Sequence, residues 1–179
     1  MAMSLDGFVA DRSGDVRALY PDLDNLRNTE ALAEMIAATG AVVMGRRAYD
    51  MGDTDDGYVD YEHQVPIFVL THTPPAEPAR HDPDKGLTFT FVTDGVESAI
   101  AQAKAAAGGK DVQVIGGAGA AQQLIKAGLL DEIHISLQPV LLGEGQRLFE
   151  HLGSRKRLLE RIKVVDSPAS TDIRYRVLR

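Results

Sequence analysis

The sequence predicts an α/β protein: a mostly parallel central sheet in three layers, with helices on both faces and an antiparallel hairpin at the C-terminal end. Three observations carry this. Apolar, β-branched runs alternate with stretches of helical periodicity. Two of those runs end in glycine immediately before a helix start, at Gly45 and at Gly116-Gly117. The last two runs flank a short turn-rich link, Ser167-Pro168-Ala169-Ser170, as a hairpin requires. The 179 residues are enough for a full hydrophobic core, and residues 1–179 read as a single domain.

Taken in order, the chain opens with a short strand leading into the turn Ser4-Leu5-Asp6-Gly7. A first helix carries Leu32, Met35, Ile36 and Thr39 on one face and stops at Gly40. A strand at Ala41–Met44 ends at Gly45. Tyr49–Gln64, rich in aspartate, reads as a surface loop. Val65–Thr71 is β-branched and apolar, and a proline-rich loop runs from Thr71 to Gly86. Leu87–Thr93 alternates apolar residues with threonine, as a half-buried strand does. Asp94 and Glu97 are placed as an acidic capping box for a helix whose Val96, Ala99, Ile100 and Ala103 face one way. Val112–Ile115 runs into Gly116-Gly117, and a helix with Ala121, Leu124, Ile125 and Gly128 on one face follows. Glu132–Leu142 is a longer strand, with Pro139 marking a bulge or an edge. Leu158–Val165 and Ile173–Leu178 complete the hairpin.

Composition narrows the function. A formal charge of −7 argues against nonspecific binding of nucleic acid or of an anionic membrane surface. The absence of cysteine excludes disulfides and thiolate metal sites. No apolar run is long enough to span a bilayer and no signal-type segment opens the chain, so a cytoplasmic location is expected. The histidines are scattered without metal-ligand spacing, Asp53, Asp55, Asp56 and Asp60 do not meet the pattern of a calcium loop, and no metal is expected. Ser4 lacks the context of a hydrolase nucleophile.

The chemistry concentrates at the two glycine turns. In Val114-Ile115-Gly116-Gly117-Ala118-Gly119-Ala120 a strand runs through glycines into a helix. Missing β-carbons let a ligand approach the backbone, and the helix start offers unpaired N–H groups, which suit a pyrophosphate. A tight turn made only for close packing uses the same residues, and the spacing is not that of a Rossmann fingerprint. In Val42-Val43-Met44-Gly45-Arg46-Arg47-Ala48-Tyr49 two arginines follow a strand-ending glycine. They oppose the helix dipole unless an anion is near, and guanidinium groups clamp phosphate well. Ion pairing with the acidic loop after Tyr49 is the competing use.

These segments carry a resemblance. Met44-Gly45-Arg46-Arg47-Ala48-Tyr49 and Ile115-Gly116-Gly117 resemble the corresponding segments of dihydrofolate reductases. Met3-Ser4-Leu5-Asp6-Gly7, Gly128-Leu129-Leu130-Asp131-Glu132-Ile133 and Pro139-Val140-Leu141-Leu142-Gly143-Glu144-Gly145, ending at Leu148-Phe149, resemble more closely the reductase domain of the riboflavin-biosynthesis deaminase–reductase and its stand-alone relatives.

The resemblance implies a dihydrofolate-reductase-like fold and an NADPH site. Gly45, Arg46 and Arg47 would approach the adenosine phosphates, with the two arginines favouring NADP over NAD. Thr71 and His72 would lie near the 2′-phosphate and adenine. Ile115, Gly116, Gly117, Ala118, Gly119 and Ala120 would cradle the pyrophosphate and the nicotinamide side. It also implies a cis peptide between Gly116 and Gly117. Two departures stand out: Ala48 replaces a phosphate-binding threonine, and Ile115 stands where riboflavin-pathway reductases often carry glutamate.

On the substrate side Asp6 is the first catalytic candidate, as a proton donor on a turn opening onto the nicotinamide cleft. A turn-capping aspartate is the other reading of Asp6. Glu30, near in spacing to the buried carboxylate of dihydrofolate reductases, is the second candidate, and a first-turn helix acid is its alternative. Asp22 and Asp24 read as turn and cap residues. The expectation is an NADPH-dependent reductase of a small organic substrate, bound between the Asp6 turn and the first helix. A riboflavin-pathway reductase of an aminouracil ribosyl phosphate and a non-catalytic ligand-binding protein are its rivals. A homodimer is expected, with the apolar Val140-Leu141-Leu142 segment contributing.

Overall fold

The computed structural model describes residues 1–21, 30–54 and 56–179, so Asp22, Asp24 and Asp55 lie outside the described residues. The strands are β1 (Ala2–Ser4), β2 (Phe8–Ala10), β3 (Thr39–Gly45), β4 (Ile67–Leu70), β5 (Phe89–Val92), β6 (Asp111–Val114), β7 (Glu132–Gln138), β8 (Gln146–Arg147), β9 (Leu159–Asp166) and β10 (Thr171–Val177). The α-helices are α1 (Glu30–Ala38), α2 (Arg46–Gly52), α3 (Val96–Ala106) and α4 (Ala118–Ala127). The chain forms two compact units, one of Asp24–Ala120 and one of Met1–Leu23 with Ala121–Arg179.

The first of these units is built on a parallel sheet of order β5-β4-β3-β6. Register sorts its side chains. Val42 and Met44 pair with Ile67 and Val69, which pair in turn with Phe89 and Phe91, so these six share one face. On that face they pack with Tyr49 of α2 and with Tyr58, Ala79 and Leu87 in one cluster. Intervening residues such as Val43 and Phe68 point the other way, where α3 contacts β3 and β4 and buries Val96, Ala99, Ile100 and Ala103. Both faces of the sheet are therefore covered, which is why its strands read as continuous apolar runs.

Two local details differ from the sequence reading. Thr39 and Gly40 do not end α1 as a cap; they begin β3, and the Thr39 hydroxyl donates to the carbonyl of Met35 at 2.7 Å. The capping box does not form: Gly95, at φ 107°, is the N-cap of α3 and no side chain caps the helix, which leaves Asp94 one residue too early.

The other unit holds a sheet of order β1-β7-β10-β9, with β1 and β7 parallel and the rest antiparallel. The C-terminal hairpin is β9–β10, closed by the bond from the Ser167 amide to the Ser170 carbonyl. β7 stops at Gln138, directly before Pro139, which cannot donate to a ladder. A short antiparallel pair, β2 and β8, stands beside these as a second sheet. Helix α4 ends at Ala127 in the paired bonds Leu129 N–H to Leu124 O and Gly128 N–H to Ile125 O, a Schellman motif, so Gly128, read from sequence as part of the helix face, instead lies just past its end with φ 70°. No helix among the described residues is long and apolar enough to cross a membrane.

Candidate functional site

The two glycine turns, far apart in sequence, are neighbours in space. β3 and β6 run parallel and adjacent, with Val43 opposite Val114. Beyond the last paired residues the Ile115 amide donates to the Val43 carbonyl at 3.0 Å and the Gly45 amide to the Gly116 carbonyl at 3.2 Å. β3 continues into β4 on one side, whereas β6 lies on its other side. The strand order thus reverses between β3 and β6, and such switch points leave a crevice at the carboxyl ends of the strands, where open α/β sheets bind ligands.

Local stereochemistry shapes this end of the sheet. Gly116 has φ 69°, and a β-carbon on it would stand 2.8 Å from that of Ala48. A β-carbon on Gly117 or Gly119 would meet nothing within 4 Å, so this stretch of backbone borders open space with no side chain of its own to fill it. Ala118 and Ala120 are buried and hold the first turn of α4 in place. Ile115 packs partly buried against the aromatic cluster. Among the described residues no peptide bond is cis, and the Gly116–Gly117 peptide is trans, which corrects the expectation drawn from the resemblance. The positive φ of Gly116 makes the turn instead.

The two arginines have different surroundings. Arg46 donates from Nε to Asp50 at 2.6 Å and from Nη1 to the Thr73 carbonyl at 2.7 Å, tying the loop after β4 to α2. The Thr71 hydroxyl accepts from the Thr73 amide and donates to the same Thr73 carbonyl, so Thr71 shapes that loop. His72 and Arg47 are exposed, and Arg47 has no ion-pair partner among the described residues.

In the other unit, Asp6 sits in a bonded turn. Its carboxylate accepts from the Ser4 hydroxyl at 2.6 Å and from the amides of Gly143 at 2.7 Å and Leu142 at 3.2 Å. The Ser4 bond and then these amides hold the Asp6 carboxyl below its usual pKa range. Groups bonded in this way favour the anion, so the geometry speaks for an anchor of the 139–143 loop more than for a proton source. Glu30 is the first residue of α1 as described.

Sequence reasoning passed over Tyr58, which lies within a loop read as solvated. Its ring stacks on Tyr49 at 5.8 Å and its hydroxyl donates to the Tyr49 carbonyl at 2.9 Å, fixing the end of α2. Tyr58 and Tyr61 were the available signal, two aromatics among aspartates.

Comparison with known proteins agrees with this architecture. A dihydrofolate reductase from Enterococcus faecalis, solved with NADP(H), superposes with a TM-score of 0.63 over 98% of this chain and 92% of its own, at 19% identity. A Shewanella sp. PV-4 protein named for riboflavin biosynthesis is 27% identical, with a TM-score of 0.79 over 100% of this chain and 97% of its own. The protein YyaP of Bacillus subtilis (strain 168), uncharacterized, is 26% identical over 160 residues, covering 88% of this chain and 82% of YyaP. Fold and strand-end geometry thus define a dihydrofolate-reductase-like α/β protein. Within that class the chain belongs to the RibD C-terminal domain family, whose model matches residues 1–171.

Proposed function

We propose that this protein is an NADPH-dependent reductase of a small organic substrate. The observation that carries the reading is the juxtaposition of Gly45 and Gly116 at the switch point of the parallel sheet. The residues present fit a dinucleotide: side-chain-free backbone at Gly117 and Gly119, a helix start at Ala118, and the exposed Arg47 cation in the first turn of α2, directly after β3. Gly45, Arg46 and Arg47 would approach the adenosine phosphates, Thr71 and His72 would lie toward the 2′-phosphate and adenine, and Ile115–Ala120 would hold the pyrophosphate and nicotinamide side. When bound, NADPH supplies the hydride that reduces a C=N or C=O group.

The chain's own contribution is placement. Rigid strand ends fix one reactant relative to the other, which lowers the barrier by orientation alone. Asp6 and Glu30 belong to the substrate side in this reading through the family resemblance. The bonded state of Asp6 favours an orienting role over proton donation, and the incoming proton would then come from solvent or from another group. Family membership supports a substrate of the riboflavin-pathway kind; Ile115, apolar and packed on the core, does not offer the carboxylate that such reductases often present there.

A homodimer in the cytoplasm completes the proposal. Leu141 is 68% exposed, and β9 presents Ile162, Val164 and Val165 to solvent at the edge of its sheet, which suits burial against a second copy. Light scattering checks that element.

The deciding experiment is a fluorescence titration with NADPH and NADH, on the native protein and on Arg46→Ala/Arg47→Ala. Binding of NADPH with a preference over NADH that the double variant loses supports the assignment; an unchanged ratio refutes it. Oxidation of NADPH across a panel of pterins, pyrimidines and ketones separates a reductase from an inert binder.

A further inference from the structure

Arg147 is an arginine held by an aromatic ring and a backbone carbonyl. Six others, Arg12, Arg17, Arg46, Arg174, Arg176 and Arg179, each form a salt bridge with a carboxylate. Arg147, like Arg47, has no such partner among the described residues, although it is exposed on a protein of formal charge −7. It is nevertheless held in place. It lies opposite Phe8 in the β2–β8 pair, its guanidinium stacks 4.4 Å from the centroid of the Phe8 ring, and Nη1 donates to the Asp6 carbonyl at 3.1 Å. Its own carbonyl accepts from Gln122 Nε2 at 2.8 Å, which fixes the backbone beneath it.

We propose that Arg147 is an anion-recognition residue that receives a carboxylate or phosphate group of the reduced substrate. The inference rests on the reductase reading, which puts the Asp6 turn on the substrate side. A guanidinium stacked on an aromatic ring and pinned by one bond has already lost most of its rotamer freedom. Its remaining N–H donors keep the planar fork that matches the oxygens of a carboxylate or phosphate. A negatively charged protein repels an anionic ligand at long range, so capture requires a fixed local cation free of any internal counter-ion. Asp6 does not compete for it: its carboxylate is taken up by Ser4, Leu142 and Gly143, and it meets Arg147 only through its backbone carbonyl.

The test follows two NMR reporters in the full chain, the Arg147 Nε–H and the Gly7 amide, during titration with inorganic phosphate and, separately, with acetate. Saturable shifts of both are expected, and the tighter of the two anions tells phosphate from carboxylate chemistry. Arg147→Gln should weaken the Gly7 response about tenfold or more, and Arg147→Lys, which keeps the charge without the fork, should fall between. Silence of both reporters toward both anions overturns the proposal, as does a Gly7 response that survives Arg147→Gln unchanged. That last pattern, with a lowered Tm, marks Arg147 as a strut for the turn. NADPH titration of the same samples separates the two levels: NADPH binding with silent reporters removes the anion site alone, whereas absent NADPH binding with intact reporters removes the reductase reading.

Discussion

Gly116 faces Ala48 so closely that a β-carbon on the glycine would stand 2.8 Å from the alanine methyl. Two penalties are therefore combined at this position, the contact itself and the positive φ of 69°. Gly116→Ala should lower stability by about 2–4 kcal/mol, of which about 1–2 kcal/mol is the left-handed backbone. In an Ala48→Gly background the same substitution should cost less, because the contact is relieved and only the backbone term stays. Urea denaturation of the four proteins of this cycle measures the difference. Additive losses would show that Ala48 does not confine Gly116.

The division between Arg46 and Arg47 leads to a second outcome. Arg46 is engaged with Asp50 and Thr73, so Arg46→Ala should loosen the loop after β4 and weaken NADPH and NADH alike. Arg47 carries no internal ion pair among the described residues. Arg47→Ala should leave stability within about 0.5 kcal/mol and lower NADPH affinity about tenfold while sparing NADH. Fluorescence titration of both single variants decides whether the two arginines divide the work in this way.

Much of this architecture was legible because burial on both faces writes long apolar runs. The parallel strands β3 to β6, the buried face of α3 and the start of α4 follow from period and glycine position. The pair β2 and β8 did not, since three- and two-residue strands have no period to detect. Helix α2 extends to Gly52 because Tyr49 is fully buried against Phe89 and Phe91, a tertiary cause that no local pattern announces. The glycine turns were visible as motifs, but only the sheet order shows that they meet. The competing use of Arg46, pairing within the acidic loop, was visible too, and the structure shows that pair.

The Asp6 turn gives a prediction in pH. Its carboxyl titrates below its usual range because Ser4, Gly143 and Leu142 bond the anion. A depressed folded pKa contributes stability that is complete above the unfolded value of about 3.9 and is lost as pH falls through the folded value. Asp6→Asn should therefore lower Tm at pH 7 and converge on the native protein as pH drops below about 4. A Tm gap that widens toward acid would contradict the assignment of Asp6 as a bonded anion.

Gly40 tests a different cause of glycine in the same sheet. The residue looks like a helix stop in sequence, yet it belongs to β3, and its φ does not demand glycine. What demands it is proximity: a β-carbon there would stand 2.2 Å from the Ala107 carbonyl oxygen and 2.8 Å from Cβ of Lys110. The Ala107 carbonyl is committed to the Lys110 amide at 3.0 Å, and Lys110 reaches back through Nζ to the Ala37 carbonyl at 3.0 Å, so neither neighbour moves away freely. Gly40→Ala should then cost about 3 kcal/mol or more through overpacking. A helix-cap glycine replaced by alanine would cost only about 1 kcal/mol, which separates the two explanations in a single denaturation curve. The loss should appear without any change in the NADPH-to-NADH affinity ratio, because that ratio is set by the arginines that follow β3 and not by its beginning.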